Sequence, residues 1–258
     1  MTTAAKPAPD PFALDPDHLT SRQWRRCLQA LADDWRARSI NPARAVVLVP
    51  YAQLMTEARA AWAKVEPSGF VPQFLTTRQW ASSAQAFDPG SMDFSGDLAR
   101  DAWVAQAWVQ RHAGPAGMGS VMASRLIELT QQIAFLAAAV PPEARAVWAQ
   151  AVQAQWPPMP PSLQWEAWLA QLSVLWASSS AYATDVLWSE RMAPGVCADA
   201  LVVLSGLQTD PLVEALASHW GERATRWSLW DDAPPTQAVH GHACEDAEDE
   251  AHRAAACV

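Results

Sequence analysis

With 258 residues, a net charge of −9 and half of its residues hydrophobic, the chain is long enough for one large domain or two small ones around a packed core. The acidic total argues against a simple nucleic-acid-coating protein, and no apolar run approaches the length of a membrane span. Cys27, Cys197, Cys244 and Cys257 lie far apart and form no C-x-x-C pair, which fits free thiols in a reducing compartment rather than a disulfide framework.

The charge is uneven: residues 21–80 hold nine Arg and Lys against four Asp and Glu, and residues 231–258 hold seven acids against one Arg. On its own this reads as solvated faces rather than a binding patch. Fifteen tryptophans among abundant alanines point first to helix packing, with base stacking as the other use of the same rings.

Residues 1–20 carry Pro7, Pro9, Pro11 and Pro16 and lack a signal-peptide core, so an extended lead-in to a cytoplasmic protein is expected. From Arg22 to Arg38, Trp24, Cys27, Leu28, Leu31 and Trp35 make one helical stripe. Asn41-Pro42 breaks it, and Ala45 to Pro50 is an apolar run of the kind buried on both faces of a parallel sheet. Residues 51–65 follow as a helix with Leu54, Ala58, Ala61, Trp62 and Val65 inward. Phe70 to Thr77 is a third candidate element, a strand, and strand–helix–strand order implies a right-handed crossover and a parallel pair.

Residues 82–96 are loop-like. Helices are then expected over 97–113 (Leu98, Ala102, Ala105, Trp108 and Val109 on one face), 121–139, from Pro141-Pro142 to about Trp156, 162–178 and 184–192. No strand pattern interrupts 83–195. The sheet pattern resumes at 199–207, where Ala200 to Leu204 is short, apolar and rich in β-branched residues. A helix over about 210–220 follows, then a strand at 225–230, a strand at 238–244 and a helix from Asp246. The helix reaching Val258 has no cap or breaker, as expected of a chain that continues. The organisation is α/β with a large all-helical insertion: 1–82 and 196–236 as two parts of one sheet domain, 83–195 as the insertion and 237–258 as the start of a following domain.

Chemistry in such a sheet sits at the carboxyl ends of the strands. At the end of the 200–204 strand stands Ser205, where a nucleotide hydrolase would place a carboxylate for Mg²⁺. No G-x-x-x-x-G-K-[ST] loop occurs, and residues before the first helix contain no glycine with which backbone N–H groups could surround a phosphate. Gly114, Gly117 and Gly119 fall between helices and read as a turn. Ser205-Gly206 lacks the flanking glycines of a nucleophile elbow. His240, His242 and Cys244 alternate on one strand face and are possible Zn²⁺ ligands, but the spacing matches no structural zinc site and an accidental grouping is the plainer account. The acids from Glu245 to Glu250 suit the first turn of a helix.

Polar groups also follow the other strand ends. Tyr51 follows Val49-Pro50, and Thr76-Thr77-Arg78-Gln79-Trp80 follows the third strand. Thr77, Arg78 and Trp80 suit a phosphodiester and a stacked base. A helix cap at Thr77 with a packed Trp80 explains the same residues.

In order and spacing these segments resemble the core of superfamily I helicases. Ala45 to Tyr51 resembles the strand, Pro and DNA-facing residue that follow the first ATP-site helix. Phe74-Leu-Thr-Thr-Arg-Gln-Trp-Ala81 resembles the next motif, and Ala200 to Leu207 the Walker B strand with Ser205 in place of its acid. Cys244-Glu-Asp-Ala-Glu-Asp-Glu-Ala-His-Arg-Ala-Ala-Ala256 resembles the run that opens the second core domain. Together they are most similar to the amino-terminal part of AddB-type subunits of bacterial AddAB helicase–nucleases, in the subgroup whose helicase core is inactivated. The resemblance implies a RecA-like sheet with a helical insertion, no ATP hydrolysis and no cofactor in this chain, and a role in recombinational repair of broken DNA. It implies a motor and nuclease partner of AddA type, a nuclease domain further on, and contact of Tyr51, Thr77, Arg78 and Trp80 with single-stranded DNA. A protein–protein interaction scaffold that does not touch nucleic acid is the competing expectation.

Overall fold

A computed structural model describes residues 16–112, 119–206 and 208–229. Its centre is a four-stranded sheet of order β2-β1-β3-β4, built from β1 (Ala45–Leu48), β2 (Gln73–Leu75), β3 (Ala200–Ser205) and β4 (Ala224–Ser228). Every pairing is parallel, with Val47 opposite Phe74 and Val202, and Val202 opposite Thr225. The two continuous apolar runs, β1 and β3, are the central strands and are buried from end to end except Ser205. Both faces of a parallel sheet are covered by crossover helices, so strands in its middle need no polar side.

Alternation along the strands sorts their side chains into two cores. Ala45, Val47, Val49, Phe74, Val202 and Leu204 face α1 (Pro16–Ala37) and α2 (Leu54–Val65). There Trp24, Leu28, Leu31 and Trp35 of α1 meet Trp62 of α2, with the Trp35 and Trp62 rings 5.4 Å apart; such a pair adds about 0.5–1.5 kcal/mol beyond its buried area. Cys27 lies in this core, and burial pushes its thiol up to about 11. Val46, Leu48, Leu201 and Val203 face the other way, toward α3 (Thr77–Ala84), α8 (Pro211–Trp220) and Leu187 and Met192 of two short 3₁₀ segments.

The block between β2 and β3 has its own core. Val104, Ala105 and Trp108 of α4 (Leu98–Arg111), Leu126 and Ile127 of α5 (Gly119–Ala138), and Leu169, Leu172 and Trp176 of α7 (Gln164–Ser179) form it with Phe94. Arg145, the first residue of α6 (Arg145–Ala154), is buried and fastens the block to the 3₁₀ segment Ala183–Trp188. Its guanidinium donates to the Ala137 and Ser180 carbonyls (2.9 and 3.0 Å), pairs with Asp185 through both oxygens, and lies 4.8 Å from the centre of the Tyr182 ring. Burial holds the Tyr182 phenol well above its ordinary range, and its hydroxyl donates to the Ala177 carbonyl.

Several boundaries differ from expectation. β2 is three residues long, and Phe70 and Val71, expected inside the strand, are exposed. The stretch 82–84, expected as loop, completes α3, whose cap is Thr76 rather than Thr77. Residues 183–192 form two 3₁₀ segments rather than one helix, because short connectors close more tightly with i→i+3 bonds. Leu98, expected inward, is 73 % exposed at the first position of α4. Among the described residues no strand lies between 83 and 195, and no helix is long and apolar enough to cross a membrane. The expected strand at 238–244 and the helix after it lie outside the described residues.

Candidate functional site

The connections leave the two central strands in opposite directions. β1 continues through α2, on one face, to β2; β3 continues through α8, on the other face, to β4. Adjacent strands whose crossovers part in this way leave a crevice at their carboxyl ends, the place where open α/β sheets bind ligands. A cleft of about 490 Å³ lies there, within the roughly 300–1,000 Å³ typical of small-ligand sites. Its walls are Leu48 to Tyr51 after β1, Thr76 and Thr77 after β2, Val203 to Gly206 at the end of β3, and the start of α8.

Gly206 sets how closely these walls approach. A Cβ at that position would stand 2.8 Å from Pro50 Cβ and 3.1 Å from Pro50 Cγ, with Tyr51 Cε2 at 3.6 Å. A proline ring cannot swing aside, so only glycine allows β3 to end against Pro50 and fixes Tyr51 at the rim. Tyr51 is 43 % exposed. Ser205 is exposed at the tip of β3 and lines the cleft.

The two helix starts at the cleft differ. At α8 the donors are used internally: Asp210 Oδ1 accepts from the Leu212 and Val213 amides (2.9 and 3.4 Å), and Pro211 has no N–H. A phosphate gains nothing from a helix end so capped. At α3 a capping box joins Thr76 and Gln79: Gln79 N–H donates to Thr76 Oγ1 and Thr76 N–H to Gln79 Oε1. That leaves Thr77, half-buried in the cleft wall, and Arg78, exposed beside it. Among the described residues Arg78 makes no ion pair or side-chain hydrogen bond, whereas Arg36, Arg38, Arg44, Arg125, Arg145 and Arg226 are all paired with carboxylates.

Trp80 corrects one expectation. It is 3 % exposed and packs against Trp220, ring centroids 5.8 Å apart, beneath the sheet. The helix that presents Arg78 turns Trp80 into the core, since residues two apart do not share a helix face. Trp80 therefore holds α3 against α8 and offers no face to a base. In its place the fold supplies an aromatic that the sequence did not single out. Phe135, in the last turn of α5, is 53 % exposed and lines the cleft from the helical block. Its exposure had no sequence signal, because it sits in the apolar run Ile133 to Ala138 at the end of the helix.

Among the described residues the charged side chains in the cleft wall are Asp210 and Glu214. Glu214 Oε2 accepts from Arg226 at 3.0 Å. Among the described residues no three His, Cys, Asp or Glu side chains gather as a metal site. His240, His242 and Cys244 lie outside the described residues.

At the opposite end of the sheet several polar groups pair with one another. Arg44 donates to both Asp199 oxygens (2.8 and 2.9 Å) and to the Gly195 carbonyl, and the Asp199 amide donates to the Arg44 carbonyl at 2.6 Å. The Arg44 guanidinium holds the Asp199 carboxyl below its usual value. No family model, no curated protein and no solved structure matches this chain.

Proposed function

We propose that the chain is a non-catalytic, helicase-like module: a degenerate RecA-like sheet that guides or scans single-stranded DNA within a repair helicase–nuclease, beside a motor subunit of AddA type. The observation that carries this reading is the cleft at the carboxyl ends of β1 and β3, with Tyr51 and Thr77 in its wall, Arg78 beside it and Ser205 at the tip of β3. Tyr51 offers an exposed ring, Thr77 a hydroxyl and Arg78 a guanidinium uncommitted among the described residues, the donors and stacking surface that a single strand uses. Ser205 offers no metal carboxylate, and the start of α8 is capped by Asp210. The order of the elements, with a helical block between β2 and β3, is the order that the sequence resemblance implies.

The test is a fluorescence-anisotropy titration of the chain with a single-stranded oligonucleotide at two salt concentrations, together with an assay for DNA-stimulated ATP hydrolysis. Binding that weakens as salt rises, without hydrolysis, is the expected result. Hydrolysis above background overturns the non-catalytic part, and absence of binding at low salt overturns strand guiding.

A second reading, an interaction scaffold, is favoured by one observation. Trp103 on α4 is 78 % exposed, and a bare tryptophan is a frequent anchor of protein interfaces. Trp103→Ala weakens association with a partner subunit under this reading and leaves oligonucleotide binding unchanged under the first.

A further inference from the structure

We infer that the cleft is a nucleobase pocket with Tyr51 and Phe135 as its aromatic walls, selecting bases that carry an exocyclic amino group. This rests on the strand-guide reading and adds to it which part of the nucleotide enters and which bases are preferred.

Charge decides which part enters. Among the described residues the cleft wall contains two carboxylates, Asp210 and Glu214, and no Lys or Arg. A phosphate placed inside meets like charge, and the Arg226 guanidinium that touches Glu214 is already committed to it; the cost grows where water is excluded. Arg78, unpaired among the described residues, is exposed beside the cleft and outside its wall, so the sugar–phosphate chain runs along the rim and the base points inward. Inside, the surface suits a base: Tyr51 and Phe135 are 43 % and 53 % exposed, come from different parts of the fold, and line the same space as Leu48 and Val203. Aromatic side chains stack on any base, so stacking alone does not select.

Selection comes from the carboxylates. Both cap bonds of Asp210 go to Oδ1, so Oδ2 is uncommitted among the described residues. Glu214 gives Oε2 to Arg226, which leaves Oε1. An ionised carboxylate only accepts hydrogen bonds. Cytosine and adenine present an amino donor on the Watson–Crick edge, whereas thymine presents carbonyl oxygen at the same place. A thymine set with its O4 against Asp210, where cytosine places its amino group, leaves two acceptors facing each other.

The test compares single strands of 5-methyldeoxycytidine and of thymidine, which share the methyl group and differ at position 4 and in the N3 proton. Anisotropy titrations use the whole chain, Phe135→Ala, and the double variant Asp210→Asn with Glu214→Gln. Asparagine caps a helix as well as aspartate does, so the double variant retains α8. The methylcytidine strand is expected to bind the unaltered chain about tenfold more tightly, the size of one good hydrogen bond to a charged group. The preference should shrink to about twofold or less in the double variant, where the bond is no longer to a charge, and Phe135→Ala should weaken both strands.

Equal binding of the two strands, or tighter binding of thymidine, overturns base selection while leaving strand guiding in place. Unchanged binding by Phe135→Ala overturns the aromatic wall. If neither strand binds and an arginine-rich peptide does, a cationic segment of a protein partner occupies the cleft, and both this inference and strand guiding fall.

Discussion

The two ends of the parallel sheet are built from the same strands and differ in what their polar groups do. At the amino end, Arg44, Asp199 and the Gly195 carbonyl satisfy one another, and Arg38 reaches the Glu222 carbonyl. At the carboxyl end, Arg78 has no partner among the described residues, Tyr51 and Phe135 are exposed, and a cleft opens beyond the ends of the paired strands β1 and β3. Polar groups that only hold a fold together find partners within it. Those left uncommitted around a cavity mark where something else is held.

The largest expected effect separates anchoring from contact. Trp80→Ala removes a buried ring between α3 and α8 and should cost about 3–5 kcal/mol of stability, read as a lower midpoint in urea. If Trp80→Ala instead kept its stability and lost oligonucleotide binding, Trp80 would belong to the binding surface and its burial would mislead.

Next is Gly206→Ala. A methyl group 2.8 Å from the Pro50 ring forces β3 and the Pro50–Tyr51 corner apart, and such overpacking costs about 1–3 kcal/mol. The carboxyl end should change and the amino end should not, so chemical shifts should move at Tyr51 and stay fixed at Asp199. Shifts of equal size at both ends would deny that Gly206 acts on the cleft.

Arg78→Ala should leave stability unchanged, because the side chain is exposed and unpaired among the described residues. Under the strand-guide reading it lowers the slope of log affinity against log salt by about 1, the loss of one phosphate contact. An unchanged slope would remove Arg78 from the interface.

The smallest effect is expected at the amino end. The Arg44–Asp199 pair is solvent-exposed on both sides, where ion pairs contribute little. Asp199→Asn should therefore hardly change stability at neutral pH and should not touch oligonucleotide binding. The sign with pH comes from the lowered carboxyl value: the pair's contribution is present above the ordinary 3.8 of an aspartate and is lost as pH falls below it. Acid titrations of the parent and Asp199→Asn should diverge only by that small amount, and a large difference at pH 7 would show that the amino end is more than a surface clasp.

How much of this was legible in the sequence varied with the kind of signal. β1 and β3 could be read because buried parallel strands are continuous apolar runs, and α2 and α8 because their apolar residues recur at helical spacing. The cleft position followed from Ser205 and Tyr51 standing just after those runs. The length of β2 was not legible: Phe70 and Val71 look like strand, but the sheet pairs with only three residues there. Trp80 was ambiguous because a helix that starts with polar residues carries both a site and a core face, and sequence does not say which face a large ring joins. Phe135 was invisible for the converse reason. Only the packing of a distant helical block brings its last turn over the strand ends, and no local pattern encodes that. The role of Asp210 was half legible, since a helix start near Thr209 was expected, whereas the cap that withholds the α8 amides from a ligand needed coordinates.

Cross-linking tests the contrast between the two ends most directly. A photoreactive p-benzoylphenylalanine placed at Tyr51 samples the carboxyl end, and the same group at Val196, exposed before β3, samples the amino end. Irradiation with a labelled single-stranded oligonucleotide should give a covalent adduct at position 51 and none above background at position 196. Equal adducts at both positions, or an adduct confined to position 196, would contradict strand guiding at the carboxyl end of the sheet.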